Sequence, residues 1–227
     1  MRLFCFPYAG GGVHVFRAWA DNLPKTVEVC PIQLPGRGAR MMDAPYTRMA
    51  PLVYAAAEAM LPHLDKPFAF FGHSMGALVS FEVARWLRRQ TGPEPIRLFV
   101  SGCFAPDIPD PYPLHKLPDA ELLEGLRRLN GLPQEALENA ELMSLLLPTL
   151  RADCMVTETY TYTDESPLNC PISAFGGLQD HLVGRTHLEA WRQQTTAFFS
   201  LRMFPGDHFF LHSAQRLLLL ILSRELS

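Results

Sequence analysis

The stretch Phe68-Ala69-Phe70-Phe71-Gly72-His73-Ser74-Met75-Gly76 decides the fold of this chain. Its apolar first half leads into the pattern Gly-X-Ser-X-Gly, and a helical pattern follows at once. This arrangement is typical of a strand that turns sharply into a helix and lifts a serine hydroxyl clear of a sheet. The turn needs glycine on both sides of the serine, because a β-carbon at either glycine position would collide with its surroundings. The stretch therefore predicts that Ser74 is a nucleophile at a strained turn.

Five further short apolar runs alternate with helix-like stretches along the chain. They are Leu3 to Phe6, Val27 to Leu34, Leu98 to Val100, Ile172 to Phe175 and Leu201 to Phe204. Short strands that are apolar on both faces and separated by helices indicate a mostly parallel sheet with helices on both faces. The segment Gly76 to Arg89 has the apolar and charged faces of a helix that packs on such a sheet. With the serine turn, this order predicts an α/β protein with the α/β-hydrolase fold.

The stretch from about 106 to 167 breaks this alternation, being proline-rich at first and then leucine-rich with helical spacing. The apolar positions that define it are Leu122, Leu123, Leu126 and Leu129 on one face, and then Leu137, Leu142, Met143, Leu145, Leu146 and Leu147. Helices this apolar must cover something. We therefore expect a helical lid inserted between core strands, with two more core helices as the alternative. The length of the chain favours a single domain over 1–227 that includes the lid.

Composition and charge exclude several classes of protein. The chain is 48% hydrophobic and 19% charged, with a formal net charge of −3, which gives no sign of a nucleic-acid partner. The longest apolar run, Leu217 to Leu222, is far shorter than the ~20 residues that span a bilayer, so no membrane association is expected. Five cysteines without CxxC pairing predict free thiols in a reducing compartment. The amino terminus lacks a signal-peptide pattern, and we expect a cytoplasmic protein.

A serine hydroxyl needs a base to take its proton and an acid to hold that base in one tautomer. In this fold the chain order is Ser, then Asp or Glu, then His. The run Pro171 to Asp180 is a predicted strand that ends in a glycine-rich loop, so Asp180 is the predicted acid. Asp153 and Asp164 lie in or near the predicted lid, away from any strand end, and we expect both to be solvated surface charges.

The histidines that follow the acid compete for the role of base: His181, His187, His208 and His212. His181 adjoins Asp180, so the two side chains would diverge, and His187 opens a helical run. His208 follows a predicted strand and a Pro-Gly-Asp turn, which places it at the carboxyl edge of the sheet, where the sites of open α/β sheets lie. His208 is therefore the predicted base, with His212, one helical turn later, as its competitor.

Two backbone N–H groups are expected to form an oxyanion hole for the tetrahedral intermediate. One should come from Met75, the residue after the nucleophile. The other should come from Phe6-Pro7-Tyr8-Ala9-Gly10-Gly11-Gly12, whose glycines let the backbone approach a substrate. Tyr8 or Ala9 would donate, and we favour Ala9. A phosphate-binding loop is the alternative here, but the Walker lysine and the dinucleotide pattern GxGxxG are both missing, so no cofactor or metal is expected.

Five blocks, in order along nearly the whole chain, resemble the type II thioesterases, which are discrete editing enzymes of polyketide synthases and nonribosomal peptide synthetases. The blocks are FPYAGG near the start, QLPGRGAR at 33–40, FFGHSMGALVSFEVAR at 70–85, FGGLQD at 175–180 and FPGDHFFL at 204–211. The resemblance implies a catalytic triad of Ser74, Asp180 and His208 and a helical lid over the acyl site. It also implies hydrolysis of stalled or misprimed acyl groups on the phosphopantetheine arm of an acyl or peptidyl carrier protein.

Some questions stay open at the level of sequence. Arg37 and Arg40, within QLPGRGAR, could meet acidic groups of a carrier protein or hydrogen-bond the carbonyl groups of their own loop. A chain-terminating medium-chain fatty acyl thioesterase would share fold and triad and differ in the depth of its acyl pocket. A carboxylesterase or lipase is a further alternative, but those enzymes more often carry an HGGG-type oxyanion loop, which is not seen in this sequence. A catalytically inactive hydrolase-fold binding module is the alternative outside enzymes, although every catalytic position here holds competent chemistry.

Overall fold

A computed structural model describes residues 1–109, 113–128 and 139–227 of the chain. The strands in this part are β1 Arg2–Phe6, β2 Glu28–Pro31, β3 Phe68–His73, β4 Arg97–Ser101, β5 Ile172–Gly177 and β6 Phe199–Phe204. They form one sheet in the order β2-β1-β3-β4-β5-β6, and every neighbouring pair is parallel. The predicted parallel sheet is confirmed.

Helices fill the intervals between the strands. The α-helices in the described part are α1 Trp19–Asn22, α2 Met49–Met60, α3 Met75–Arg89, α4 Asp119–Arg128, α5 Ala140–Glu158, α6 Arg185–Glu189, α7 Phe210–Ser213 and α8 Gln215–Glu225. Short 3-10 helices cover Val13–Phe16, Gly38–Arg40, Leu61–His63 and Ala190–Gln194. None of the helices in these ranges has both the length and the hydropathy needed to cross a membrane.

The central strands send alternate side chains into two separate cores. In β1, Leu3 and Cys5 lie in the core on one face of the sheet, while Phe4 and Phe6 lie in the core on the other. Strand β3 alternates in the same way. A strand with period-two side chains that is buried on both faces reads as a continuous apolar run, which is why these strands were recognisable in the sequence.

Strand β2 is shorter than the apolar run Val27 to Leu34 predicts. It covers only Glu28–Pro31, lies at the edge of the sheet, and its side chains are exposed or half-buried. The pairing with β1 ends just after Pro31, where the N–H of Ile32 donates to the carbonyl of Cys5 at 2.9 Å. The chain then leaves the sheet as a loop, and this loop carries Arg37 toward the glycine-rich segment after β1.

The segment between β4 and β5 builds a small core of its own. Its buried residues are Leu122, Leu126, Met143, Leu150 and Cys154. Pro148 lies inside α5 and divides it: Leu145, before the proline, is 62% exposed, whereas most residues after it are buried. The predicted apolar positions Leu129 and Leu137 lie outside the described residues. The interpretation of this segment as a lid stays a prediction.

The order of the strands creates a crevice at one point of the sheet edge. From β1 the chain moves outward to β2, and from β3 it builds the sheet in the opposite direction. The loops that leave the neighbouring strands β1 and β3 therefore diverge at their carboxyl ends, where ligands of open α/β sheets bind. Ser74 follows β3 at this point, and the glycine-rich segment follows β1.

Candidate active site

Ser74 lies at a strained turn between β3 and α3. Its backbone has φ 52° and ψ −121°, a conformation that costs a residue with a side chain about 1–3 kcal/mol. A β-carbon on Gly72 would lie 2.1 Å from the carbonyl oxygen of Gly76, and one on Gly76 would lie 2.2 Å from that of Phe6. Both glycines are therefore required because backbone passes too close for any side chain. The Ser74 N–H donates to the carbonyl of Ser101 at 2.8 Å, which ties the turn to β4.

Asp180 and His208 form a buried hydrogen-bonded pair. His208 Nδ1 lies 2.8 Å from Asp180 Oδ2, and the two side chains are 5% and 1% exposed. The other carboxylate oxygen accepts the N–H groups of Leu182 and Val183 at 2.9 and 3.0 Å. Burial acts to raise the pKa of Asp180, but the hydrogen bond and charge of His208, together with the two N–H groups, hold that pKa below its ordinary value. The carboxylate therefore stays ionised and orients the imidazole.

The competing histidines have other partners. His212 Nε2 lies 3.0 Å from the hydroxyl of Tyr8. Burial raises the pKa of Tyr8 to about 12, and burial also lowers the pKa of His212, so both groups of this hydrogen bond are neutral at neutral pH. His187 accepts the N–H of Gly184 at 3.1 Å, and His181 is exposed. Within the described residues, His208 is thus the histidine that the structure joins to Asp180.

His73, for which the sequence predicts no role, is a buried neighbour of this pair. Its Nδ1 lies 2.8 Å from Ser101 Oγ, its ring centroid lies 5.2 Å from that of His208, and its Nε2 has no hydrogen-bond partner within the described residues. Burial and then the charge of His208 lower its pKa well below the ordinary value, so the ring stays neutral. Gly102, with φ +56°, leaves room for it, because a β-carbon there would lie 2.8 Å from His73 Cε1.

The segment Phe6 to Gly12, hereafter the glycine loop, is fixed by hydrogen bonds of its glycines. The N–H of Gly10 donates to Asp153 Oδ2 at 2.7 Å, and that of Gly11 donates to the carbonyl of Tyr8 at 2.8 Å. These two donors are therefore engaged. This is consistent with Tyr8 or Ala9 as the oxyanion donor, and the assignment of Ala9 and Met75 stays a prediction.

The expectation that Asp153 is a solvated surface charge is wrong. Its side chain is 4% exposed and forms a two-pronged ion pair with Arg37, at 2.6 and 2.7 Å. Asp153 follows one turn after Leu150 on the inner face of α5, so its helix directs it inward. Asp164, by contrast, is exposed as expected. Arg40 is also exposed, and it binds Asp43 and the carbonyl of Gln33.

A cavity of about 510 Å³ opens beside the serine. Of the predicted site residues, Ser74, Met75 and His208 line it, whereas Asp180 lies behind His208 and Ala9 lies outside the lining. The remaining wall comes mainly from 102–109 after β4 and from 157–162 at the end of α5. This volume is in the range of sites that enclose a small organic ligand. Within the described residues, no group of three or more metal-ligating side chains is present.

Comparison with known proteins adds to this geometry. The family model described as "Thioesterase domain" matches residues 1–224. The linear gramicidin dehydrogenase LgrE of Brevibacillus parabrevis is 53% identical, over 99% of this chain and 87% of the relative. The solved structure of RedJ, a thioesterase from the prodiginine biosynthetic pathway of Streptomyces coelicolor, has a TM-score of 0.95 and 44% identity, over 99% of this chain and 90% of that one. YbtT, a type II thioesterase from the yersiniabactin NRPS/PKS pathway, has a TM-score of 0.89 and 32% identity, over 98% and 91%.

LgrE is named a dehydrogenase, but the glycine loop of this chain does not have the features of a dinucleotide-binding loop. A dinucleotide-binding loop of the GxGxxG type offers its backbone N–H groups to a pyrophosphate. Here the loop after β1 has a different glycine pattern, and the N–H groups of Gly10 and Gly11 already bind Asp153 and Tyr8.

Proposed function

Because this chain belongs to the thioesterase family and is similar to type II thioesterases throughout its length, we propose that it removes acyl groups from carrier proteins of polyketide or nonribosomal peptide synthesis. The chain is a thioester hydrolase by family. The serine nucleophile, the triad, the lid and the carrier-bound substrate are our proposal for it.

The observation that carries the proposed mechanism is the Asp180–His208 pair beside a strained serine on one cavity. His208 Nδ1 is engaged by Asp180, so its Nε2 is left to act as the base toward Ser74. Both Ser74 and His208 line the cavity, whose wall also includes Met75. This combination supports acyl transfer to the serine, because it supplies a nucleophile, a base held in one tautomer and a backbone N–H at a helix start.

In the proposed reaction, His208 removes the proton of Ser74 as the serine oxygen attacks the thioester carbonyl. The carbonyl electron pair moves to oxygen, where the N–H groups of Met75 and Ala9 stabilise it. The tetrahedral intermediate collapses, the carbon–sulfur bond breaks, and His208 returns its proton to the leaving thiolate. A water molecule, activated by the same imidazole, then hydrolyses the acyl-enzyme and restores Ser74.

The segment between β4 and β5 supports a carrier-bound substrate. It forms much of the cavity wall through 102–109 and 157–162, and Leu145 on the first half of α5 remains 62% exposed. We propose that this segment acts as a lid, and that a phosphopantetheine arm passes between it and the core to reach Ser74.

No disulfide joins the five cysteines, all of them in the described ranges, which supports a reducing compartment; we propose the cytoplasm.

The test compares kcat/KM for one short acyl group on a holo-carrier protein, on coenzyme A and as a nitrophenyl ester, at low and high salt. Coenzyme A carries the same pantetheine arm, so it is the matched control for recognition of the carrier itself. We expect the carrier substrate to be hydrolysed best, because remote binding energy helps to position the carbonyl. The preference should fall at high salt if the contact is partly electrostatic.

Each alternative gives a different result in the same assay. Equal efficiency with carrier and coenzyme A at every salt concentration would rule out carrier recognition, and a preference for the nitrophenyl ester would indicate an esterase. A strong gain with a medium-chain acyl group would favour fatty acyl release over editing. Failure of Ser74 to react with a fluorophosphonate probe would indicate an inactive binding module.

A further inference from the structure

The loop Leu34 to Arg40, hereafter the arginine loop, has no role in the mechanism above, although its Arg37 is buried. A buried guanidinium is tolerated only when its donors are satisfied. Arg37 donates to the carbonyls of Pro35 and Gly11, both at 3.1 Å, and to both oxygens of Asp153 at 2.6 and 2.7 Å. Of the two roles that the sequence left open for Arg37, a carrier contact is therefore wrong, because the side chain is 7% exposed and points into the protein.

These contacts converge on the glycine loop. The Gly11 carbonyl accepts from Arg37, and the Gly10 N–H donates to Asp153 at 2.7 Å, so one ion pair hydrogen-bonds two successive residues of the loop. Gly10 directly follows Ala9, the proposed oxyanion donor. Because the N–H of Gly10 and the carbonyl of Gly11 are both hydrogen-bonded to charged groups, the backbone here has little freedom to move.

Helix α5 completes the arrangement from the other side. Leu150 packs on Gly10 so closely that a β-carbon there would lie 2.4 Å from its Cδ2, and Gly10 has φ +75°. Thr149 Oγ1 donates to the carbonyl of Gly36 at 3.0 Å. The buried half of α5 thus contacts the arginine loop and the glycine loop through Thr149, Leu150 and Asp153, immediately after Pro148.

We propose that Arg37 and Asp153 are positioning residues that hold the glycine loop where its N–H can stabilise the oxyanion. The claim that the loop stabilises an oxyanion rests on the proposed function. The claim that the ion pair holds the loop in place rests on the contacts alone. It assigns a role to the arginine of the QLPGRGAR block and makes the geometry of the oxyanion hole depend on the seating of α5.

The test uses three variants. Arg37→Lys keeps the charge but loses the two-pronged geometry, and Asp153→Asn keeps an acceptor for Gly10 but loses the charge. Either can leave a buried charge uncompensated and reduce folding, so the third is the double variant Arg37→Met/Asp153→Leu, in which no buried charge remains. Arg97→Lys is the control, because Arg97 forms a half-buried pair with Glu225 at the amino-terminal end of β4, away from the site.

We expect the double variant to fold and to lose about 10²-fold in kcat, with KM within about threefold of the wild type, because misplacing an oxyanion donor affects the transition state more than substrate binding. The inhibition constant of a trifluoromethyl ketone analogue, whose adduct with Ser74 carries an oxyanion, should rise in parallel. Arg97→Lys should change neither. A folded double variant with kcat within threefold of the wild type, or a loss confined to KM, would overturn the proposal.

Hydrogen exchange separates this inference from the proposed function. Peptides that contain 6–12 should exchange at least about tenfold faster in the three variants than in the wild type and in Arg97→Lys. If the wild type hydrolyses no thioester, the proposed function fails, yet the exchange rates still decide whether the ion pair holds the loop. Unchanged exchange in all three variants would refute the inference whatever the activity.

Discussion

Gly76→Ala tests how closely the serine turn and the glycine loop are coupled. The added β-carbon would lie 2.2 Å from the carbonyl oxygen of Phe6 and 2.7 Å from that of Pro7, and real β-carbon contacts essentially never fall below 3.0 Å. Both neighbours are backbone atoms at the start of the glycine loop, so no side chain can rotate away. The loop and α3 must therefore separate by about 1 Å, a displacement that can cost about 10² in rate.

The same variant should lose stability by the amount typical of overpacking, about 1–3 kcal/mol, which lowers the melting temperature by about 2–12 °C in a chain of this size. The enzyme should therefore remain folded at 25 °C, with kcat reduced about 10²-fold. Steady-state kinetics and a thermal melt of the purified variant measure both quantities.

Gly92→Ala is the matched control, three residues past the opposite end of α3. Its β-carbon would lie 3.2 Å from the carbonyl of Leu87, a contact that a shift of a few tenths of an ångström relieves. We expect wild-type kcat from this variant. A folded Gly76→Ala variant with kcat within threefold of the wild type would refute the argument that the backbone contact fixes the glycine loop against the serine turn.

Three further predictions concern the acid and the base. Asp180→Asn should reduce kcat by about 10⁴, the loss known for the corresponding change in serine proteases, because an amide that donates to His208 Nδ1 selects the wrong tautomer. A reduction below tenfold in a stopped-flow assay would argue against Asp180 as the acid of the triad. His208→Ala should be as damaging as loss of the nucleophile, whereas His212→Ala, which removes only the partner of Tyr8, should stay within about tenfold; the reverse order would make His212 the base. The folded-state pKa of Asp180 lies below its unfolded value of about 3.9, so its carboxylate stabilises the fold above that pH, and this contribution is lost as pH falls through the folded pKa. The difference in melting temperature between the wild type and Asp180→Asn should therefore shrink between pH 7 and pH 3. A difference that grows on acidification would contradict the direction of this pKa shift.

Much of this architecture could be predicted from the sequence because its signals are local. Strands buried on both faces leave continuous apolar runs, and all six runs became strands. The Gly-X-Ser-X-Gly turn is a signal within five residues, but only Gly72 has its steric cause there. A β-carbon on Gly72 would lie 2.1 Å from the carbonyl oxygen of Gly76, whereas one on Gly76 would lie 2.2 Å from that of Phe6. His208 was favoured over His212 from its place after a strand, and the structure joins it to Asp180.

The contacts that the sequence did not reveal are long-range. Arg37 and Asp153 are 116 residues apart, so neither segment by itself identifies the partner of its charge. A local signal did exist for Asp153, because it lies within a largely apolar stretch of α5, where a buried charge needs a partner. Strand β2 was overestimated because its apolar run continues into residues that leave the sheet, and hydrophobicity alone does not mark where the pairing with β1 ends.

The most direct test of the account is the rate at which Ser74→Ala releases an acyl group from a holo-carrier protein. Alanine removes the nucleophile and fits the turn at least as well as serine does, so the variant should melt at about the wild-type temperature. The account predicts a loss on the order of 10⁶ in kcat, as expected when a triad acts as a unit. Hydrolysis by the folded variant within tenfold of the wild-type rate would contradict the assignment of Ser74 as the nucleophile.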